Sequence, residues 1–129
     1  MPIVVDASVV LAPILKEAHS RAIAGLDAAV WVVPALWWFE VRNGLVVNER
    51  RNRVSAIETT GFLQRLSNTA LTIDRSPDEA TLMALARRHR LTVYDAAYLE
   101  LAMRERAPLA TLDAALAAAA RREGVAVLA

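Results

Sequence analysis

Met1-Pro2-Ile3-Val4-Val5-Asp6-Ala7-Ser8 opens the chain with an unbroken apolar run that stops at a carboxylate. Ile3 to Val5 show no polar alternation, the pattern of a strand covered on both faces at the centre of a parallel sheet. Asp6 then stands at the carboxyl end of that strand. Open α/β sheets bind ligands outside that end, so an acid delivered there is a candidate anchor for a site. Taken by itself, Asp6 serves equally well to begin a turn and cap the next helix.

Working outward, Ser8 is expected to cap a first helix from Val9 to about Lys16, shortened or kinked by Pro13. A second helix is expected over His19 to Ala28. Val30-Trp31-Val32-Val33 is the next strand, closed by Pro34, which suits the first turn of a helix running from Ala35 to about Arg50. Ser55 with Glu58 makes a capping box for a helix that ends near Ser67-Asn68. Leu71-Thr72-Ile73 is a third strand. In Ser76-Pro77-Asp78-Glu79 a cap, a proline and two acids open a helix to about His89, closed by Arg87, Arg88 and Arg90. Leu91 to Tyr94 reads as a connection, with Asp95 opening a helix from Ala96 to Arg106 that Pro108 stops. Leu109-Ala110-Thr111-Leu112 is a fourth strand ending, like the first, at an aspartate. Asp113 starts an alanine-rich helix that Gly124 terminates, and Val125 to Leu128 forms a fifth strand. Strands separated by helices throughout predict a parallel sheet of right-handed crossovers in a single three-layer α/β/α domain, residues 1–129.

Composition narrows the function. Fifteen basic residues against fourteen acidic give a net charge of +1, so no global field draws the protein to nucleic acid and any attraction is local. All the basic residues but Lys16 are arginines, which fork onto phosphate oxygens. The absence of cysteine removes disulfides and thiolate metal sites and fits a reducing compartment. No apolar run approaches the roughly 20 residues of a membrane helix, and the N-terminus lacks signal-peptide features. A cytoplasmic protein is expected.

Asp6, Glu40, Asp95 and Asp113 each lie at a strand end or in the first turns of a helix, beside apolar sequence. In a parallel sheet those places share one edge. Four carboxylates gathered without a counter-charge repel one another and raise one another's pKa, and a divalent cation resolves this. Ligands that are all oxygen select Mg²⁺ or Mn²⁺. Such an ion activates water and stabilises a phosphodiester under in-line attack. For Asp95 and Asp113, helix capping is the plainer account of either residue alone. Capping does not explain Glu40 inside Trp37-Trp38-Phe39-Glu40-Val41. Ser8, Asn43 and Thr111 are supporting polar groups, each also explained by local hydrogen bonds. His19 and His89 read as ordinary surface histidines.

The segments Val4-Val5-Asp6-Ala7-Ser8, Pro34 followed by Glu40 and Asn43, Leu91-Thr92-Val93-Tyr94-Asp95-Ala96-Ala97-Tyr98-Leu99-Glu100-Leu101-Ala102, and Leu109-Ala110-Thr111-Leu112-Asp113 together resemble the PIN-domain ribonucleases, and within them the VapC-type toxins of toxin-antitoxin pairs. The third segment is the most specific, and the set spans nearly the whole chain. The resemblance implies a five-stranded parallel sheet in the order 3-2-1-4-5 and an acidic pocket that holds Mg²⁺ or Mn²⁺. It makes Asp6, Glu40, Asp95 and Asp113 the metal-site acids, flanked by the hydroxyls of Ser8 and Thr111. It also implies RNA cleavage leaving a 5′ phosphate, a homodimer, and a cognate antitoxin that fills a groove by the pocket.

The function expected is therefore that of a metal-dependent endoribonuclease acting as a toxin. A housekeeping PIN-domain RNA-processing nuclease without an antitoxin and a non-catalytic interaction module are the alternatives. A phosphoryl-accepting switch ranks low, since it needs a lysine opposite the acids late in the chain and the only lysine is Lys16. Arg42, Arg50, Arg51 and Arg53, on or after the helix of Glu40, are candidates to hold RNA phosphates. Trp37 and Trp38 are candidates for a partner interface, with burial in the core the competing account.

Overall fold

The computed structural model describes residues 1–15, 26 and 28–128. Strand β1 (Pro2–Val5) is the centre of a five-stranded sheet in which every pairing is parallel. On one side lie β2 (Val30–Pro34) and β3 (Leu71–Asp74), and on the other β4 (Leu109–Ala110) and β5 (Val127–Leu128), so the order is β3-β2-β1-β4-β5. Ile3 pairs with Trp31 and Val5 with Ala110. Val4 and Val5 are fully buried, as a strand with both faces covered requires.

The helices are α1 (Ala7–Leu15), α2 (Leu36–Arg50), α3 (Ala56–Leu66), α4 (Glu79–His89), α5 (Val93–Glu105) and α6 (Ala114–Arg122). The chain steps from β1 to β2 to β3, then back across the sheet to β4 and on to β5. Right-handed crossovers taken in opposite directions leave their helices on opposite faces. Accordingly α1 packs on α2, while α5 lies against the central strands and touches α4 and α6. Gly44 permits the approach of α1 to α2, because a Cβ at that position would overlap Leu11 Cδ1.

Several boundaries differ from the sequence expectation for local reasons. Pro34 ends β2, paired with Asp74, and α2 starts at Leu36 with no side-chain cap. The cap of α4 is Asp78, not Ser76. The Asp78 carboxylate accepts from both the backbone N–H and the hydroxyl of Thr81, whereas the Ser76 N–H is directed at Asp74 Oδ2. The Ser55–Glu58 capping box is present as expected. The helix expected over His19 to Ala28 lies almost wholly outside the described residues, and His19 with it.

The tryptophans separate. Trp31 is buried and its indole N–H donates to the Leu26 carbonyl at 3.0 Å. Trp37 is also buried, facing the core from α2, so it does not offer a partner surface. Only Trp38 is exposed, at 44%. His89 is likewise no surface histidine. Its ring is covered and its Nε2 lies 2.6 Å from Glu123, which also accepts from Arg88 and so ties the end of α4 to the end of α6.

Candidate active site

Asp6 follows β1 directly, and its N–H donates to the Ala110 carbonyl at 2.9 Å, continuing the ladder one step past the strand. That step sets it beside Thr111. The Thr111 hydroxyl donates to Asp6 Oδ2 at 2.7 Å and accepts from the Asp113 N–H at 3.0 Å. Ser8 does not cap α1, which has already begun at Ala7. Its hydroxyl donates to the same Asp6 oxygen at 2.8 Å and accepts from the Leu112 N–H at 3.1 Å. Two hydroxyls thus tie the turn after β4 to the end of β1, and Asp6 Oδ1 is committed to neither. Asp113 caps α6, its Oδ1 accepting from the Leu116 N–H at 2.8 Å. The capping account of Asp113 is therefore correct, and the residue still stands beside Asp6.

Thr92 caps α5, accepting from the Asp95 N–H at 3.1 Å. The helix thus starts three residues before the position expected. Asp95 sits inside the first turn, where a negative charge meets the positive end of the dipole, and its carboxylate is not needed as the cap. One turn on, the buried Tyr98 hydroxyl donates to Glu40 Oε1 at 2.5 Å. Since α2 and α5 belong to opposite layers, this bond joins them over the edge of the sheet.

The acids act on one another. Burial pushes the Asp6 carboxyl above its ordinary range, the Thr111 and Ser8 hydroxyls oppose that rise, and the charge of Asp113 adds to it. Glu40 is raised by burial, pulled back by the Tyr98 bond, and raised again by Asp6 and Asp95. Asp95 is raised by burial, then by Asp113 and Asp6. Burial and the bond to Glu40 drive the Tyr98 hydroxyl far above its usual pKa, so it remains a proton donor. Among the described residues no Arg or Lys forms an ion pair with any of the four acids.

Whether this set suits a metal turns on stoichiometry. Among the described residues no three His, Asp or Glu side chains converge closely enough to ligate one ion directly. A Mg²⁺ ion, however, keeps several waters and takes one or two carboxylates. An all-oxygen set of mutually destabilised carboxylates fits such a hydrated ion.

The remaining candidates scatter. Asn43 is exposed one turn beyond Glu40 on α2. Arg42 lies over the Trp38 ring at 4.0 Å and donates to the Trp38 carbonyl at 3.2 Å. Arg50 ends α2, Arg51 is its C-cap and Arg53 follows. At 1.5 Å per residue, Arg50 lies about 15 Å along the helix from Glu40, so these three do not gather at the acids. Two features escaped the sequence reading. Tyr98 could be placed on the same side as Asp95 from its spacing, but its partner on α2 could not. The second is Arg104, which donates to buried Glu100 and, through both terminal nitrogens, to Asp74. The Glu100–Arg104 spacing signals the first bond, and nothing local signals the second.

A profile of the PIN domain matches residues 3–126. The chain belongs to the PIN-domain family. PIN domains are in general nucleases, which makes this chain a member of a family of hydrolases acting on nucleic acid. The PIN fold here is similar to PAE2754 from Pyrobaculum aerophilum, with a TM-score of 0.72 and 22% identity over 98% of this chain and 92% of that one. It is also similar to FitAcB from Neisseria gonorrhoeae, with a TM-score of 0.67 and 19% identity over 100% and 97% of the two chains. At these identities the likeness is one of fold. No curated protein sequence matches the chain.

Proposed function

We propose that this PIN domain is a Mg²⁺- or Mn²⁺-dependent endoribonuclease that acts as the toxin of a toxin-antitoxin pair. The observation that supports it most is the set of four carboxylates, none of them ion-paired with an Arg or Lys among the described residues, three of them raised by burial and by one another's charge. Structural ion pairs do the opposite and lower carboxyl pKa values. Asp6 and Asp95 would hold the ion, and Glu40 and Asp113 would position its water. The bound ion supplies an activated water and charge stabilisation at the phosphodiester.

The chain's own groups do the rest. The Ser8 and Thr111 hydroxyls fix the Asp6 carboxylate through one oxygen. Tyr98 fixes Glu40, whose raised pKa suits it to accept a proton from the attacking water. Water adds to phosphorus, the bond to the 3′ oxygen breaks, that oxygen leaves protonated, and the phosphate stays on the 5′ end of the downstream fragment. Trp38 and Phe39, both exposed on the first turns of α2, are suited to a protein surface, so a cognate antitoxin and a second copy are the partners proposed. No helix among the described residues is long and apolar enough to cross a membrane, and a cytoplasmic site of action is proposed.

The test is cleavage of a defined set of RNAs with Mg²⁺, Mn²⁺ or chelator, with product ends mapped. Products carrying 5′ phosphates, formed only with an ion and lost in Asp6→Asn, are expected. Intact RNA under every ion condition rejects the nuclease reading, and activity unaffected by coexpression of the neighbouring open reading frame rejects the toxin reading.

A further inference from the structure

The two sides of α2 differ in kind. Trp37, Val41, Leu45 and Asn48 are buried and turn inward. Phe39, Arg42, Val46 and Glu49, spaced three, four and three residues apart, form a stripe on the outward side of the same helix. Phe39 is 69% exposed and Val46 41%, with Trp38 at the edge of the stripe, while Arg42 and Glu49 are half-buried. Arg42 uses one of its five guanidinium donors on the Trp38 carbonyl. It stands two turns, about 10 Å, from Glu49 along the helix, too far for the two to pair. Among the described residues neither forms an ion pair.

We infer that a second copy of the chain docks on this stripe, the two α2 helices antiparallel about a two-fold axis beside Val46, so that the arginines ending α2 serve the acidic site of the other copy. Exposed aromatic rings alone do not choose between a second copy and an antitoxin. Charge does. A two-fold interface brings one patch against itself, so the patch must be self-complementary. The stripe has a cation towards its start, an anion towards its end and Val46 between them. Antiparallel pairing sets Arg42 of each copy by Glu49 of the partner subunit, whereas parallel pairing sets like charges together. The same symmetry explains the arginines that do not gather at their own acids. Arg50 and Arg51 of the partner subunit come level with Val41 and Glu40, one interhelical spacing of roughly 8–10 Å away, and Arg53 follows them. RNA phosphates beside the acids are then held from the partner copy. This delivery of arginines rests on the nuclease reading above, and the docking of the two copies does not.

The test has two arms. In the first, the full chain is sedimented alone over a range of concentrations, where a monomer–dimer equilibrium is expected. Arg42→Glu and Glu49→Arg each set like charges across the axis and are expected to raise the dimer dissociation constant at least about tenfold. Combining them remakes the pair with its signs exchanged and is expected to restore the dimer, which also shows that neither change spoils the fold. A monomer at every concentration, a dimer indifferent to either reversal, or a double variant no better than the single ones overturns the docking face. A chain that stays monomeric and buries Trp38 only when the product of the neighbouring open reading frame is added assigns the face to an antitoxin instead. In the second arm, Asp6→Asn is mixed with a variant carrying Arg50→Ala, Arg51→Ala and Arg53→Ala together, and RNA cleavage is followed. Each alone is expected to be impaired, and the mixture to regain activity, because a mixed dimer has one site with its own acids intact and arginines from the other copy. No recovery, or an unimpaired triple variant, overturns the delivery of arginines. A chain that dimerises as described but cleaves nothing loses the nuclease reading and keeps the docking face.

Discussion

The Tyr98 hydroxyl donates to Glu40 Oε1 at 2.5 Å across 58 residues of sequence and between the two helical layers. The bond favours ionised Glu40, against burial and the charges of Asp6 and Asp95. Tyr98→Phe removes the one opposing influence, so the Glu40 pKa moves further up. The acid limb of the pH–rate profile for RNA cleavage is expected to shift to higher pH, with activity recovering above it. Stability is expected to fall by about 1 kcal/mol for the lost hydrogen bond. A profile superimposable on that of the unaltered protein refutes the role given to Tyr98.

Asp6→Asn is expected to abolish cleavage and strengthen the fold. The folded-state pKa of Asp6 is raised above 3.8, so the folded chain holds this proton more firmly than the unfolded chain. Stability is then greatest below pH 3.8 and declines as pH rises through 3.8 toward the folded value. At neutral pH the charge is a liability, whereas asparagine keeps an oxygen for the Ser8 and Thr111 hydroxyls. A gain of about 0.5–2 kcal/mol at pH 7 is expected, shrinking toward zero below pH 3.8. Thermal unfolding of the metal-free proteins at pH 7 and pH 3 measures it, and a variant less stable at pH 7 contradicts the argument.

The same repulsion predicts how the ion acts on stability. A cation that binds only the folded chain stabilises it by about 2.7 kcal/mol at a concentration 100 times its Kd. The melting temperature is therefore expected to rise on titration with Mn²⁺ or Mg²⁺ and to fall back with chelator. Asp6→Asn and Asp95→Asn are expected to lose most of that rise. A melting temperature indifferent to both ions in the unaltered protein removes the case for a metal at these acids.

Much of this was legible because it is local. The unbroken run Ile3–Val5 marked a central strand, and the Ser55–Glu58 box fixed a helix start within four residues. Asp6 and Asp113 were each visible at a strand end. What is not local was hidden. The partner of Tyr98 is set by the packing of α5 across the sheet edge, and Trp37 and Trp38, neighbours in sequence, separate into core and solvent because a helix turns about 100° per residue. With Leu91 to Tyr94 read as a connection, Asp95 stands where a cap belongs, yet Thr92 inside that connection is equally able to cap and does so. A choice between two capable residues is decided by tertiary contacts that propensity does not contain.

Arg104 carries the last prediction. It bridges Glu100, which is 2% exposed, and Asp74, linking α5 to the end of β3. Arg104→Leu leaves Glu100 buried without its counter-charge. Breaking a fully buried pair costs about 3–5 kcal/mol. Arg104 is itself 32% exposed, so water reaches the site and about 2–3 kcal/mol is expected. Part of this is pH-dependent, because the Arg104 bond holds the Asp74 carboxyl below its ordinary value of 3.8. That contribution is present above pH 3.8 and is lost as pH falls through the lowered folded value. The stability difference between the two proteins, measured by urea unfolding, is therefore expected to be largest near neutrality and to narrow below pH 3.8. A difference that stays constant with pH assigns the loss to packing of the arginine stem, not to its charge.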